Sequence, residues 1–288
     1  MKVWLAYRKL TAGQQRIVDT QRVDTKATPD ELITLLGPVA AFDKTVGTVA
    51  NSTALGCVAV VGFIAFIGCG IALASGGWST PLAAAAVISL VSGVLGFRMI
   101  SAAKKVDISD NLRGTLLPLL KILREDIPRG EKIALNLDLH LPTHAKKKTG
   151  TSKPYKRGAY YHIVDTNYED PWLLLKAPLN DGSLLALRVA DSIRVINRTK
   201  RGSSGKIRSN TRERKKTRVR VLLGVRRKDF NVTQPKDARV KVTDKRVLIS
   251  LSRQLRFTDL NPVPPKSIID AIADVYRGVQ PVGRTAHA

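Results

Sequence analysis

Hydrophobic and polar positions follow three regimes along this chain. Up to residue 50, and again from 104 to 130, apolar residues recur at three-to-four spacing. From 51 to 103 they are nearly continuous, and from 131 onward they alternate. Two runs dominate the middle, Thr53 to Ser75 and Pro81 to Phe97, separated by Gly-Gly-Trp-Ser-Thr. No Asp, Glu, Lys, Arg or His occurs between Asn51 and Phe97. The first run would be about 34 Å long as a helix, enough for a hydrocarbon core of about 30 Å. The second reaches a similar length if it continues to Ala103 and Arg98 extends to the headgroups. The pattern predicts a two-helix transmembrane hairpin over 51–103.

The flanking helical patterns are weaker. Val3, Tyr7 and Leu10 allow an amphipathic helix within 2–27, although Lys2 to Leu10 equally fits a strand. Thr28-Pro29-Asp30-Glu31 is a helix start, with Leu32, Ile33, Leu35 and Leu36 as its apolar face and Gly37-Pro38 as its expected stop. Lys104 to Arg129 predicts a juxtamembrane helix with Leu112, Leu116, Leu119, Leu120 and Leu123 on one face, kinked or split by Pro118.

Period two begins at Lys132, where Ile133, Leu135, Leu137, Leu139 and Leu141 alternate with polar or small residues. Short strands are then expected at 160–165, 172–177, 184–190, 192–197, 218–225, 239–243 and 246–252. Asn180-Asp181-Gly182 is a hairpin signal between two of them. Pro264-Pro265 opens a terminal helix, Gly278 closes it, and the tail from Val279 has no pattern. The expected fold is an α+β membrane protein with N-terminal helices (1–50), the hairpin (51–103), a juxtamembrane helix (104–130), a cytoplasmic all-β sandwich or barrel (131–260), and a short helix with a tail (261–288).

Charge adds a location and a candidate activity. The net formal charge is +25, and residues 131–260 hold 31 Lys and Arg against 12 Asp and Glu, a net of +19. The turn between the apolar runs carries no charge, whereas Lys44, Arg98, Lys104 and Lys105 flank them. By the positive-inside rule both termini are cytoplasmic, in an inner or plasma membrane if the source is bacterial. Trp78 in the turn suits the membrane interface. The first 22 residues are interrupted by Lys2, Arg8, Lys9 and Arg16 and hold no apolar core, which argues against a cleaved leader.

From Arg194 to Lys228 there are fifteen Lys and Arg and one acid, Glu213. Its centre has only Ile207 as a large apolar residue and reads as a long flexible loop. Such unbalanced charge repels itself and calls for a counter-charge. The candidate polyanion-binding residues are Lys200, Arg201, Lys206, Arg208, Arg212, Arg214, Lys215, Lys216, Arg218 and Arg220. The partner would be an anionic lipid surface, nucleic acid or an acidic protein. A second patch interleaves Lys153, Lys156 and Arg157 with Tyr155, Tyr160 and Tyr161, a mixture suited to stacking on bases or seating a partner.

Other chemistry is poorly supported. Cys57 and Cys69 are about 18 Å apart along one helix and cannot pair. Asp138, His140 and His162 could be drawn as a metal site, but the spacing is not that of a helical zinc motif and lysines crowd it. No phosphate loop, nucleotide fingerprint or nucleophile elbow is present, so no cofactor or enzyme class is expected. Small residues at Ser89, Gly93, Ser92 and Gly96 allow close helix packing, either within the hairpin or between protomers. The rival function is therefore a subunit of a homo-oligomeric membrane channel or complex.

Overall fold

The computed structural model describes residues 2–50, 53–75, 80–235 and 237–282. The chain forms two compact units, Met1–Asp19 with Pro38–Ile108, and Thr20–Gly37 with Ser109–Ala288.

The first unit is helical; residues 20–37, which fall between its two stretches in sequence, belong to the second unit. The segment read as one helix over 2–27 is α1 (Lys2–Arg8), α2 (Ala12–Thr20) and a strand, β1 (Arg22–Ala27). Thr11 ends α1 because its side chain and backbone exchange hydrogen bonds with Gln14, a capping box that restarts the chain as α2. Tyr7 donates to Asp19 at 2.8 Å and packs edge-on to Phe42. Helix α3 (Pro29–Ala50) opens as expected, with Thr28 N donating to Glu31 and Glu31 N to Thr28 Oγ1. It does not stop at Pro38. A proline removes one intrahelical hydrogen bond, and the buried stripe of Leu32, Leu36, Val39, Phe42 and Val46 carries the helix across it.

Helices α4 (Thr53–Ala74) and α5 (Thr80–Val106) contain the two apolar runs. They approach until backbones touch: a Cβ on Gly62 would lie 2.8 Å from Ser89 O and 2.9 Å from Gly93 N. Gly93 and Gly96 face Ala59 in the same way. The remaining surface is apolar and open, with Ile64, Ile71 and Ile88 63%, 67% and 66% exposed. Among the described residues, Pro29–Ala50 and Ala83–Val106 are long and apolar enough to cross a membrane, and Ala59–Ala72 within α4 is a shorter apolar stretch. The turn with Trp78 and the last six residues lie outside the described residues.

The second unit is neither a sandwich nor a barrel. Among the described residues, nine strands form one antiparallel sheet with open ends, running β1, β2 (Ile133–Asp138), β5 (Tyr160–Pro178), β6 (Leu184–Arg201), β7 (Ile207–Arg226), β10 (Arg246–Phe257) and β9 (Ala238–Val242). Two short strands, β3 (Lys148–Thr151) and β4 (Tyr155–Arg157), pair with the far part of β5. The central strands are 18 to 20 residues long, so neighbouring predicted strands merge. Pro171 is accommodated in β5 by a bulge between Asp170 and Leu173. Asn180-Asp181-Gly182 does make the hairpin turn, with Gly182 at φ 78°.

One sheet face is the core. Leu135, Leu175, Leu187, Val189, Val219, Val221 and Ile249 are buried with α6 (Leu117–Asp126) and α7 (Pro265–Tyr276), whose Leu119, Leu120, Ile268 and Val275 are likewise buried. Pro118 does not break the helical segment, because a π-turn over Leu112–Leu116 delivers the chain to it near the start of α6. Thr115 Oγ1 ties this turn to Val263 O at 2.6 Å. The expected patternless tail begins instead as β11 (Val279–Pro281), paired with β8 (Phe230–Val232).

Candidate polyanion-binding face

The basic segment is a two-stranded ribbon and not a loop. β6 and β7 pair without interruption from Leu184↔Gly224 to Arg201↔Ile207. They turn through residues 202–206, where Gly202 N donates to Lys206 O and Gly205 takes φ 75°. Burial is not needed to hold such a strand, since the hydrogen-bond ladder of β6 supplies its partners.

Side chains on a strand alternate faces and cross-strand partners share one. The even-numbered positions of the ribbon therefore share the face opposite Val189, Val219 and Val221, a face on which Ile196 is nonetheless buried. This places Arg188, Arg194, Arg198 and Lys200 of β6 beside Arg208, Arg212, Arg214, Lys216, Arg218 and Arg220 of β7. Both acids of these two strands, Asp191 and Glu213, are on the other face. The register sets Arg188 opposite Arg220, Arg194 opposite Arg214 and Lys200 opposite Arg208. Like charges so placed have Cβ atoms about 5 Å apart and destabilise the pair.

Two of the predicted residues, Arg201 and Lys206, bracket the exposed turn at the ribbon tip. Lys215 is the exception. It is 1% exposed on the core face, and its ammonium donates to Asn261 O and lies 5.0 Å from the Phe257 ring. Burial pushes its pKa down while Asp191 and Asp259 push it up. It does not belong to the basic face. Arg188, Arg194 and Arg198 do belong, and their even spacing with Lys200 was the signal that identifies them.

The basic-aromatic patch joins the ribbon in part. Tyr155, Arg157 and Tyr160 stand with Arg194, Arg198, Arg212 and Arg214 around a cleft of about 410 Å3 floored by Ile163 and Ile196. Arg198 stacks on Tyr160 with its guanidinium carbon 4.8 Å from the ring centroid. Asp165, nearly buried, binds Arg194 and accepts from Tyr155 OH at 3.0 Å. The hydrogen bond that Arg194 donates to Asp165 holds its guanidinium above the ordinary pKa. Lys153, Lys156 and Tyr161 are exposed but do not line the cleft.

Asp138 and His140 are engaged elsewhere. His140 Nδ1 is 2.6 Å from Asp138, and the buried Lys147 ammonium lies 3.5 Å from Asp138, 2.7 Å from Asp170 and 2.7 Å from His140 O. His162 is an exposed residue of β5. Across β5 and β6, Asp170 faces Asp191, which accepts from Thr217 at 2.5 Å. Burial pushes Asp170 up to about 7 despite the ammonium of Lys147. Asp191 is also raised by burial. Asp138, although burial pushes it up, is held below its ordinary range by hydrogen bonds from His140 and by Lys147. A lysine fills the centre where a cation would sit, and no group of three or more metal-ligating residues occurs among the described residues. This cluster clamps residues 138–147 to the sheet.

The chain matches no family model, no curated protein and no solved structure.

Proposed function

We propose that this is a membrane-anchored binding or scaffold protein whose basic sheet face engages a polyanionic partner. The observation that carries the reading is the register of β6 and β7, which sets three cation pairs face to face; of these six side chains only Arg194 has an acid partner, Asp165 of β5, among the described residues. A partner with closely spaced negative charges removes that repulsion, and releases its own counterions on binding. Successive even positions are about 6.7 Å apart along each strand, so the face offers an extended grid and suits a long anionic surface or chain. An anionic leaflet, a nucleic acid and an acidic protein all present such charge.

In this reading α4 and α5 are a transmembrane helical hairpin. The support is their uncharged, outward-facing Ile, Val and Phe side chains, which a water-soluble helix pair would bury. The basic flanks then put both termini and the sheet on the cytoplasmic side. Anchoring confines the encounter between the basic face and its partner to the membrane plane. The channel-subunit alternative gains nothing from Gly62, Gly93 and Gly96, which are spent between α4 and α5 within one chain.

The test uses full-length protein in detergent. Retention on an immobilised polyanion such as heparin is followed as salt is raised, and compared with a variant carrying Lys200→Gln, Arg208→Gln, Arg218→Gln and Arg220→Gln. The variant should elute at clearly lower salt, with a shallower dependence of affinity on salt concentration. Identical elution and identical slope would remove the basic face from the function.

A further inference from the structure

We propose that the cleft between β4 and the β6–β7 ribbon is a specific site for a terminal phosphate or diphosphate group. The inference rests on the polyanion-binding reading and sharpens it from a charged surface to a built site. Its five cations, Arg157, Arg194, Arg198, Arg212 and Arg214, are all arginine. A guanidinium presents a planar fork that matches two phosphate oxygens, which an ammonium does not. Among the described residues only one carboxylate, Asp165, forms an ion pair with any of them, so the cleft keeps a large positive excess.

The arrangement is set in advance. Asp165 fixes Arg194, while the Tyr160 ring and Asn210 Oδ1 (3.3 Å) fix Arg198. Arg157, Arg212 and Arg214 make no side-chain hydrogen bond or ion pair among the described residues, and are free to turn toward a ligand. The apolar floor of Ile163 and Ile196, 3% and 8% exposed, keeps water from one side of the site. Charge attraction is stronger there than on an open surface. At about 410 Å3 the cleft has room for a phosphate together with the group that bears it. A phosphorylated lipid headgroup and a soluble nucleotide share this chemistry.

The experiment is calorimetric titration of the full-length protein in detergent with three probes: inorganic pyrophosphate, ADP and a short-chain phosphoinositide. Sulfate at matched ionic strength is the control. Saturable binding of one equivalent is expected, and Arg212→Gln with Arg214→Gln should weaken it at least tenfold. Arg212→Lys with Arg214→Lys should recover only part of this, because the charge returns without the fork. Arg227→Gln with Lys228→Gln removes the same charge from outside the cleft and should change affinity less than twofold. The three probes tell the sources apart: tightest binding of the phosphoinositide assigns a lipid headgroup, and tightest binding of ADP a nucleotide. If all probes bind no better than sulfate, or if the cleft and outside variants weaken binding equally, the site is refuted. Heparin retention in the same preparations separates this failure from failure of the wider reading, which falls only if that retention also lacks dependence on the ribbon charges. Thermal melting of each variant confirms that it is folded.

Discussion

At the scale of single residues, the buried group of Asp138, His140, Lys147, Asp170 and Asp191 gives the protein a pH signature independent of its partner. Asp170 titrates at about 7 in the folded state and near 4 in the unfolded chain. Between those values the folded protein holds a proton that the unfolded chain has released. Stability from this group therefore falls as pH rises from about 4 to about 7, and is level above that. Asp191, also raised, acts in the same direction. Asp138 acts oppositely: its contribution is present above its ordinary pKa and is lost as pH falls through its lowered folded value. Denaturation midpoints of the parent should fall between pH 5 and 7.5, and those of Asp170→Asn should fall less. Equal slopes for the two would show that Asp170 does not carry the effect. The absolute stability of the variant is a poor readout, since it also deprives Lys147 of a partner.

At the scale of elements, the contact of α4 with α5 depends on the missing side chain of Gly62. Leucine there must displace the backbone near Ser89 and Gly93, and overpacking of this kind costs about 1–3 kcal/mol. The thermal midpoint of Gly62→Leu in detergent should drop, while Gly68→Leu, at a position with open space around it, should not. The sequence made the apolar pair, α7 and the 179–183 turn readable because each carries strong periodicity or turn chemistry. It concealed β1, where Val23 is the one buried side chain among six residues. It concealed the distal ribbon for a related reason. Strand Ile207–Lys216 has no buried apolar set, and its structure comes from pairing with β6, a contact between distant residues that local pattern does not encode. Lys215 misled because a lysine in a basic run reads as surface, whereas only the register reveals that it faces the core. Asp165 was invisible as an organiser of the cleft until Tyr155 and Arg194 were seen to share it.

At the scale of the whole molecule, the sheet draws on two distant parts of the chain. β1 pairs with β2 along all six of its residues, and Asp30 in α3 reaches Arg124 of α6 at 3.4 Å. The helical segment 38–108 is thus inserted within the sequence of the sheet unit. A fragment beginning at Ser109 should expose the edge of β2, melt at lower temperature and aggregate. Adding residues 20–37 as a synthetic peptide should raise its melting temperature. A fragment equally stable with and without the peptide would show that β1 is dispensable.

The alternation of exposed and buried side chains along β7 from Lys216 to Leu223, with Lys216, Arg218 and Arg220 outward and Val219, Val221 and Leu223 inward, also constrains how this gene can change length. One extra codon within that stretch would rotate everything beyond it by half a turn, sending arginines inward and valines into solvent. Two extra codons would preserve the sidedness. Variation in the ribbon's reach should therefore accumulate in steps of two residues, or be absorbed at the Gly202–Lys206 turn, where sidedness is not at stake.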